Sequence, residues 1–209
     1  PSALANPDLR WEKNTTQNLG LDLSLFKNRL QVTVDAYKNS AKDLLLAVAI
    51  PPTSGYTTQL QNVGATSNKG IEIQLNATAI QKKMFTWTSN FNIAFNKNKV
   101  ESLGGLQFQT RNSGWQGSDG VDDYIVQVGQ PVGLMYGFVT DGFYKIDEFD
   151  YNATTQTYTI KAGIAVNGVY GAPQPGTMKW KDLNGDGVIT PDDRKVIGDA
   201  NPKFTGGWS

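Results

Sequence analysis

Histidine and cysteine are both missing from the 209 residues. Their absence rules out, within this chain, a Ser-His-Asp triad, His-ligated zinc or haem, a disulfide framework, a thiolate metal site and a Cys nucleophile. An excess of one charge is missing too. The 19 basic residues balance 19 acidic ones, whereas a nucleic-acid binder normally shows a basic excess or patch. No apolar run approaches the roughly 20 residues of a transmembrane helix. Hydrophobic residues make up 39% and mean hydropathy is -0.38, values usual for a soluble protein. A membrane β-barrel stays open, because it needs apolar residues only at every second position, on its lipid face. The lack of thiols fits export through an oxidising compartment. Residues 1–11 hold no initiator Met, charged n-region or apolar h-region of a signal peptide, and the close at Gly206-Gly207-Trp208-Ser209 reads as the beginning of a strand. We therefore expect the chain to be an excerpt of a longer polypeptide.

What is present is alternation. In residues 17–26, Leu19, Leu21, Leu23 and Leu25 fall on one face and Asn18, Gly20, Asp22 and Ser24 on the other. A period of two predicts a strand with one apolar face. After a polar connector, Lys27-Asn28-Arg29, the run Leu30, Val32, Val34 and Ala36 opposes Gln31, Thr33 and Asp35. The pattern recurs in residues 69–79, with Ile71, Ile73, Leu75 and Ala77 on one side, and in residues 85–95, with Phe85, Trp87, Phe91, Ile93 and Phe95. A short turn around Gln81-Lys82-Lys83 joins them. The prediction is two hairpins separated by a longer irregular stretch, 38–68. Each regular run is about the 9–11 residues of a tilted membrane-crossing strand, and short turns opposite long loops are the asymmetry of outer-membrane barrels. The polar faces carry mainly Asn, Gln, Thr, Ser and Gly, which suits a barrel lumen. Trp11 and Phe95 at one boundary, and Phe85 and Trp87 at the other, fit two interfacial girdles. Periodicity alone leaves a soluble β-sandwich open, with these aromatics in its core. Over residues 97–204 regular alternation fades, leaving short strand-like pieces at 124–128 and 157–161. Such a length exceeds ordinary loops, so a structured excursion is expected there.

One segment carries a sharp chemical pattern. Residues 182–193 place Asp182, Asn184 and Asp186 at positions 1, 3 and 5 of a calcium loop, with Gly187 at the sharp turn. Val188 offers a backbone carbonyl at position 7, Thr190 sits at position 9, and Asp193 closes the loop where helix-loop-helix sensors use Glu. Calcium takes about 6–8 oxygens, and the expected ion is structural, since no water-activating base accompanies it. The competing reading is a surface loop of Asx-turns without an ion. The acid pairs Asp122-Asp123 and Asp147-Glu148 read as solvated loop charges, because sequence spacing says nothing about the through-space separation glycoside hydrolysis demands. The glycines of 129–142 lack a strand-then-helix setting, so they read as turn and packing glycines and not as a phosphate cradle.

Several blocks together resemble a known family. Asn6-Pro7-Asp8-Leu9-Arg10-Trp11-Glu12 followed by Thr16-Gln17-Asn18-Leu19-Gly20-Leu21-Asp22, then Asn62-Val63-Gly64 with Asn68-Lys69-Gly70-Ile71-Glu72, are similar to segments of the SusC/RagA TonB-linked outer-membrane transporters. So are Gly129-Gln130-Pro131-Val132-Gly133 with Tyr136-Gly137 and Asp141-Gly142, the Asp-x-Asn-Gly-Asp-Gly loop, Asp193-Arg194, Val196-Ile197-Gly198 and Asn201-Pro202-Lys203-Phe204. The blocks fall in family order along nearly the whole chain. The resemblance implies an all-β fold: an antiparallel transmembrane β-barrel segment, about four or five strands of a roughly 22-stranded barrel, with a large structured extracellular loop. The expected division is barrel hairpins over 1–96, an extracellular excursion over 97–204 and the next barrel strand from 205–209. The implied function is import of oligosaccharides or peptides across the outer membrane of a Gram-negative bacterium, without catalysis. A SusD-like surface lipoprotein would act as a lid, and TonB would act through regions outside this segment. The alternative is a soluble, dockerin-like calcium-dependent interaction module, whose two loops are each followed by a helix.

Overall fold

A computed structural model describes residues 3–115 and 121–209. The chain forms two units. One holds residues 1–110, 126–133 and 201–209; the other holds 111–125 and 134–200.

The first unit is built on a sheet of four long antiparallel strands, β2 (Lys13–Leu25), β3 (Leu30–Ala49), β4 (Thr58–Lys82) and β5 (Phe85–Leu103), with a two-residue strand β1 (Ala3–Leu4) beside them. Its order runs from β2 through β3 and β4 to β5, and β1 pairs parallel with β4. The β2–β3 turn uses positive φ at Phe26, Lys27 and Asn28, and Lys83-Met84 makes the β4–β5 turn. The predicted alternation appears as continuous cross-strand rows. Leu19, Ala36, Ile71 and Phe95 are in register, and so are Leu21, Val34, Ile73 and Ile93, then Leu23, Val32, Leu75 and Phe91. Between them, on the opposite face, lie rows such as Asp22, Thr33, Gln74 and Asn92, or Asn18, Tyr37, Gly70 and Asn96. The apolar face is uncovered: Leu19 is 77% exposed and Leu21 54%. A contiguous apolar sheet face of this kind marks contact with lipid or a partner.

These strands are longer than the alternation indicates. Most of the stretch 38–68, expected to be irregular, is β3 and β4, and β5 passes residue 96 to reach Leu103. The ladder continues there without a hydropathy contrast between its faces. It is also interrupted by register shifts between Ala41 and Leu45, where Asp43 has a φ of 58°. Period two is lost from the sequence while the hydrogen bonds persist. The second unit accordingly starts at Arg111 rather than Lys97.

The sequence blocks meet on this sheet. Asn62 receives the Arg10 N–H at 2.8 Å and donates to the Arg10 carbonyl at 2.8 Å and to the Asp43 carbonyl at 2.7 Å. The Glu12 carboxylate accepts from Leu45 N, and Asn6 donates to the Leu60 carbonyl. Asn98 accepts from Val132 N at 2.7 Å and donates to Asn201, which in turn donates to the Val132 carbonyl. The segment leaving the sheet at 126–133 and the one returning at 201 are thereby tied to one asparagine. After it, β16 (Thr205–Trp208) pairs antiparallel with β5.

Among the short strands, β6 (Phe108–Arg111) and β7 (Tyr124–Gln127) straddle the unit boundary in sequence. Within the second unit lie β8 (Leu134–Gly137), β9 (Thr140–Phe143), β10 (Phe149–Asn152), β11 (Thr157–Ile160), β12 (Val166–Asn167), β13 (Met178–Trp180), β14 (Val188–Ile189) and β15 (Lys195–Asp199). They pair β15 with β8, β9 with β13, β10 with β11, and β12 parallel with β14. The core collects Ile125, Leu134, Tyr144, Phe149 and Ile189. Tyr144 places its hydroxyl on the Ala165 carbonyl at 2.7 Å.

Gly70 shows how closely the polar face is packed. The Tyr37 ring crosses above it to donate to Asn96 Oδ1 at 3.1 Å, and a Cβ on Gly70 would lie 2.5 Å from that ring and from the Phe95 carbonyl oxygen. Gly70→Val in the intact protein is expected to lower stability by about 1–3 kcal/mol, read as the urea midpoint. An unchanged midpoint would show that the ring has room to move.

Candidate functional site

The loop predicted to hold an ion is closed at both ends by carboxylates. Gly185 and Gly187 have φ of 79° and 83°, and these left-handed turns point backbone N–H groups inward. Asp182 accepts from Gly185 N at 2.6 Å on one oxygen and from Gly187 N at 2.8 Å on the other. Asn184 Oδ1 accepts from Asp186 N at 2.9 Å, and its amide donates to Asp186 Oδ2 at 3.1 Å. The remaining oxygen of Asp186 accepts from Val188 N at 2.8 Å. Thr190 caps the 3-10 turn Pro191–Asp193, accepting from Asp192 N at 3.3 Å.

Asp193 is the one polar side chain among the described residues that is buried completely. One oxygen accepts from Leu183 N at 2.7 Å and Asn184 N at 3.3 Å, and the other accepts from Thr190 N at 2.8 Å. Burial pushes its carboxyl up. The N–H groups of Thr190, Leu183 and Asn184 outweigh that effect and hold it below the ordinary carboxylate value. Behind the loop, Val188 and Ile189 pair parallel with Val166 and Asn167, through Val166 N to the Gly187 carbonyl and Gly168 N to the Ile189 carbonyl, both at 3.0 Å. Ile189 is fully buried.

The structure thus gathers Asp182, Asn184, Asp186, Val188, Thr190 and Asp193 around one turn. The donor set is all oxygen, the chemistry a hard cation selects. Each ionised carboxylate retains acceptor capacity beyond the bonds named, since its two oxygens offer about four lone-pair sites. Against this, no three acidic groups among the described residues converge tightly enough to form a metal cluster. The turn is also hydrogen-bonded throughout by its own backbone. Sequence reasoning named Asp193 as a ligand and missed its role as the buried acceptor of three N–H groups, because burial is invisible in the spacing. Downstream, residues 195–199 form β15, where a dockerin loop would be followed by a helix.

The chain matches the family model described as TonB dependent receptor-like, beta-barrel, over residues 2–190. The chain belongs to this family. It is 34% identical over 232 residues to a TonB-dependent receptor of Formosa agariphila, all of this chain matching 21% of that protein. It is 31% identical to the TonB-dependent receptor SusC of Bacteroides thetaiotaomicron, 91% of this chain matching 17% of it. Among solved structures, the RagAB peptide importer in its open-open state superposes with a TM-score of 0.68 at 25% identity, covering 99% of this chain and 19% of that one. The closed-closed state gives 0.66, covering 97% of this chain and 20% of that one. The chain spans about a fifth of the length of these relatives. Its long strands are therefore part of a TonB-dependent receptor β-barrel. No described helix is long and apolar enough to cross a membrane; barrels cross with strands.

Replacing Asp193 by Asn puts an amide donor or a poorer acceptor against N–H groups that need a carboxylate, at an expected loss of about 1–3 kcal/mol. The native carboxyl titrates below the ordinary range, so its contribution is complete above that range and disappears as pH falls through the depressed value. Wild type and variant should therefore differ in unfolding midpoint at neutral pH and converge in acid. A difference that persists undiminished in acid would show that the charge is not what the three donors require.

Proposed function

We propose that the chain is wall and outer vestibule of an outer-membrane importer of the SusC/RagA kind in a Gram-negative bacterium. The importer takes up oligosaccharides or peptides under a SusD-like surface lipoprotein, with TonB acting through regions outside this segment. The observation that carries the reading is the alternating row pattern of β2–β5. Four strands present leucine, isoleucine and phenylalanine to one side and Asn, Gln, Thr and Asp to the other, in continuous register. Six residue steps from Leu19 to Leu25 extend about 20 Å along the strand. The tight turns at 26–29 and 83–84 join the strands at one end, and in the sequence the long segment 104–204 separates the far end of β5 from β16. In such barrels short turns face the periplasm and long loops the exterior, which makes the second unit the exterior excursion that meets ligand or lid. Its role is passage and docking, not bond chemistry.

Ile73 and its neighbour Gln74 separate this reading from a fold wetted on both sides. In the full-length protein, Ile73→Arg is expected to lose about 2–4 kcal/mol of folding free energy in lipid vesicles, the value for a cation near the bilayer midplane, while Gln74→Arg loses little. Stability is read by urea titration, and assembly by the mobility shift of unheated barrels in gels. Equal losses at the two positions would remove the membrane reading.

Within the excursion, we propose that Asp182, Asn184, Asp186, the Val188 carbonyl, Thr190 and Asp193 hold calcium. The ion would supply rigidity at the point where β14 joins β12. Support comes from the all-oxygen donor set and the turn geometry. Asp186→Ala should lower the thermal midpoint more in calcium than in chelator, where only the bonds from Val188 N and the Asn184 amide are lost. A wild-type protein equally stable in calcium and in chelator would mean that the Asx-turn network holds the loop without an ion.

A further inference from the structure

The outer face of the wall does not end in a neutral rim. Two residues beyond the row of Leu19, Ala36, Ile71 and Phe95, the same face carries Gln17, Lys38, Lys69 and Lys97, paired side by side on four strands. One step further come Thr15, Ser40, Ser67 and Lys99, and then Lys13 opposite Lys42. The pairing is uninterrupted from the apolar rows to the lysines, so the pleat keeps them all on the lipid side. All six lysines are exposed. Two have partners: Lys13 lies 3.3 Å from Asp43, and Lys99 2.8 Å from Glu101, which also accepts from Ser67. Lys38, Lys42, Lys69 and Lys97 have no carboxylate within ion-pair distance among the described residues.

Like charges directly opposite each other across strands destabilise a sheet. Adjacent strands are about 4.8 Å apart, so the backbones of Lys38, Lys69 and Lys97 stand within about 10 Å of one another and their side chains leave from the same face. Lysines that merely end an apolar band would snorkel into water wherever they occur singly. A row of three in register concentrates positive charge at the height where acyl chains give way to headgroups, on the side away from the short turns.

We propose that this row is a binding site for the phosphorylated headgroup of an outer-leaflet lipid. Lys38, Lys69 and Lys97 pair with the phosphate, the apolar rows below receive the acyl chains, and the hydroxyls of Thr15 and Ser40 lie on the headgroup side. The proposal rests on the membrane orientation given under the proposed function. A soluble anion has no reason to choose this face, since only a lipid satisfies the lysines and the leucines together.

The test uses the full-length importer in nanodiscs and a triple variant, Lys38→Gln, Lys69→Gln and Lys97→Gln. Assembly of each protein is first checked by gel mobility of the unheated barrel; a wild-type protein that never inserts defeats the membrane reading, independently of the lipid site. Binding is then measured by native mass spectrometry with three probes: phosphorylated lipid A, the same lipid after enzymatic dephosphorylation, and inorganic phosphate. Wild type is expected to retain the phosphorylated lipid, weakly retain the dephosphorylated one and show no inorganic phosphate. The triple variant should hold the phosphorylated lipid on the order of a hundredfold more weakly, about fivefold per lysine, with the difference shrinking in high salt. The triple Arg replacement keeps the charge and should restore binding, and the single Lys69→Gln, if the triple variant fails to assemble, should weaken it about fivefold. Equal retention of phosphorylated and dephosphorylated lipid, equal retention by wild type and Gln variants, or comparable binding of inorganic phosphate would overturn the proposal.

Discussion

Register is the constraint on which the rest of this structure depends. Side chains on a strand alternate with a period of two, so a slip of one residue moves every apolar position to the opposite face. Here four strands must agree at once. Leu21, Val34, Ile73 and Ile93 share a row only because the pairs β2–β3, β3–β4 and β4–β5 all hold the same phase. In a bilayer an out-of-phase strand would place Gln74 or Asp22 in hydrocarbon, where polar groups have no water to accept their hydrogen bonds. The two tight turns fix that phase at one end. At the other end register shifts between Ala41 and Leu45 are tolerated, since faces of similar polarity lose little by exchanging.

Above the apolar band the stabilising interactions change in kind. Hydrophobic rows give way to asparagine side chains that clamp backbone groups. Asn62 holds the N-terminal segment against β3 and β4, and Asn98 holds both the segment around Val132 and the one around Asn201. Each amide donates and accepts at once, so it pins two chain segments with one side chain. In the second unit Asp193 does the same with charge, gathering three backbone N–H groups around a buried carboxylate. Charge-assisted bonds to backbone donors are the stronger kind, and that is what lets an acid stay ionised with no exposed surface. The excursion thus has its own small core around Tyr144, Phe149 and Ile189, and it is not a loop in the sense of an unstructured connection.

The regular parts of the long strands were legible in the sequence because an apolar face and a polar face impose opposite chemistry at alternate residues. Leu19 to Leu25 and Ile71 to Ala77 record that contrast directly. The upper halves of β3 and β4 were not legible: from Lys38 to Asn68 both faces meet similar surroundings, so hydropathy carries no period even though the hydrogen-bond ladder continues. For the candidate site, spacing picked out the turn itself, since Asp182, Asn184 and Asp186 alternate with Gly185 and Gly187 at the offsets of a tight turn. It did not reveal that Asp193 points to backbone donors. Nor did it show that Asn6, Asn62, Asn98 and Asn201, far apart in the chain, are partners of the backbone.

The sequence by itself determined the all-β character, the hairpins with their apolar and polar faces, and the family, because these depend on local periodicity and on blocks of adjacent residues. Only the tertiary structure decided which rows share a level, that Lys38, Lys69 and Lys97 stand together, and that Tyr37 passes over Gly70 to reach Asn96. Those facts depend on strand pairing between residues tens of positions apart. No local pattern encodes pairing of that kind; it is fixed when neighbouring strands settle into the one phase that keeps every polar group wet or hydrogen-bonded.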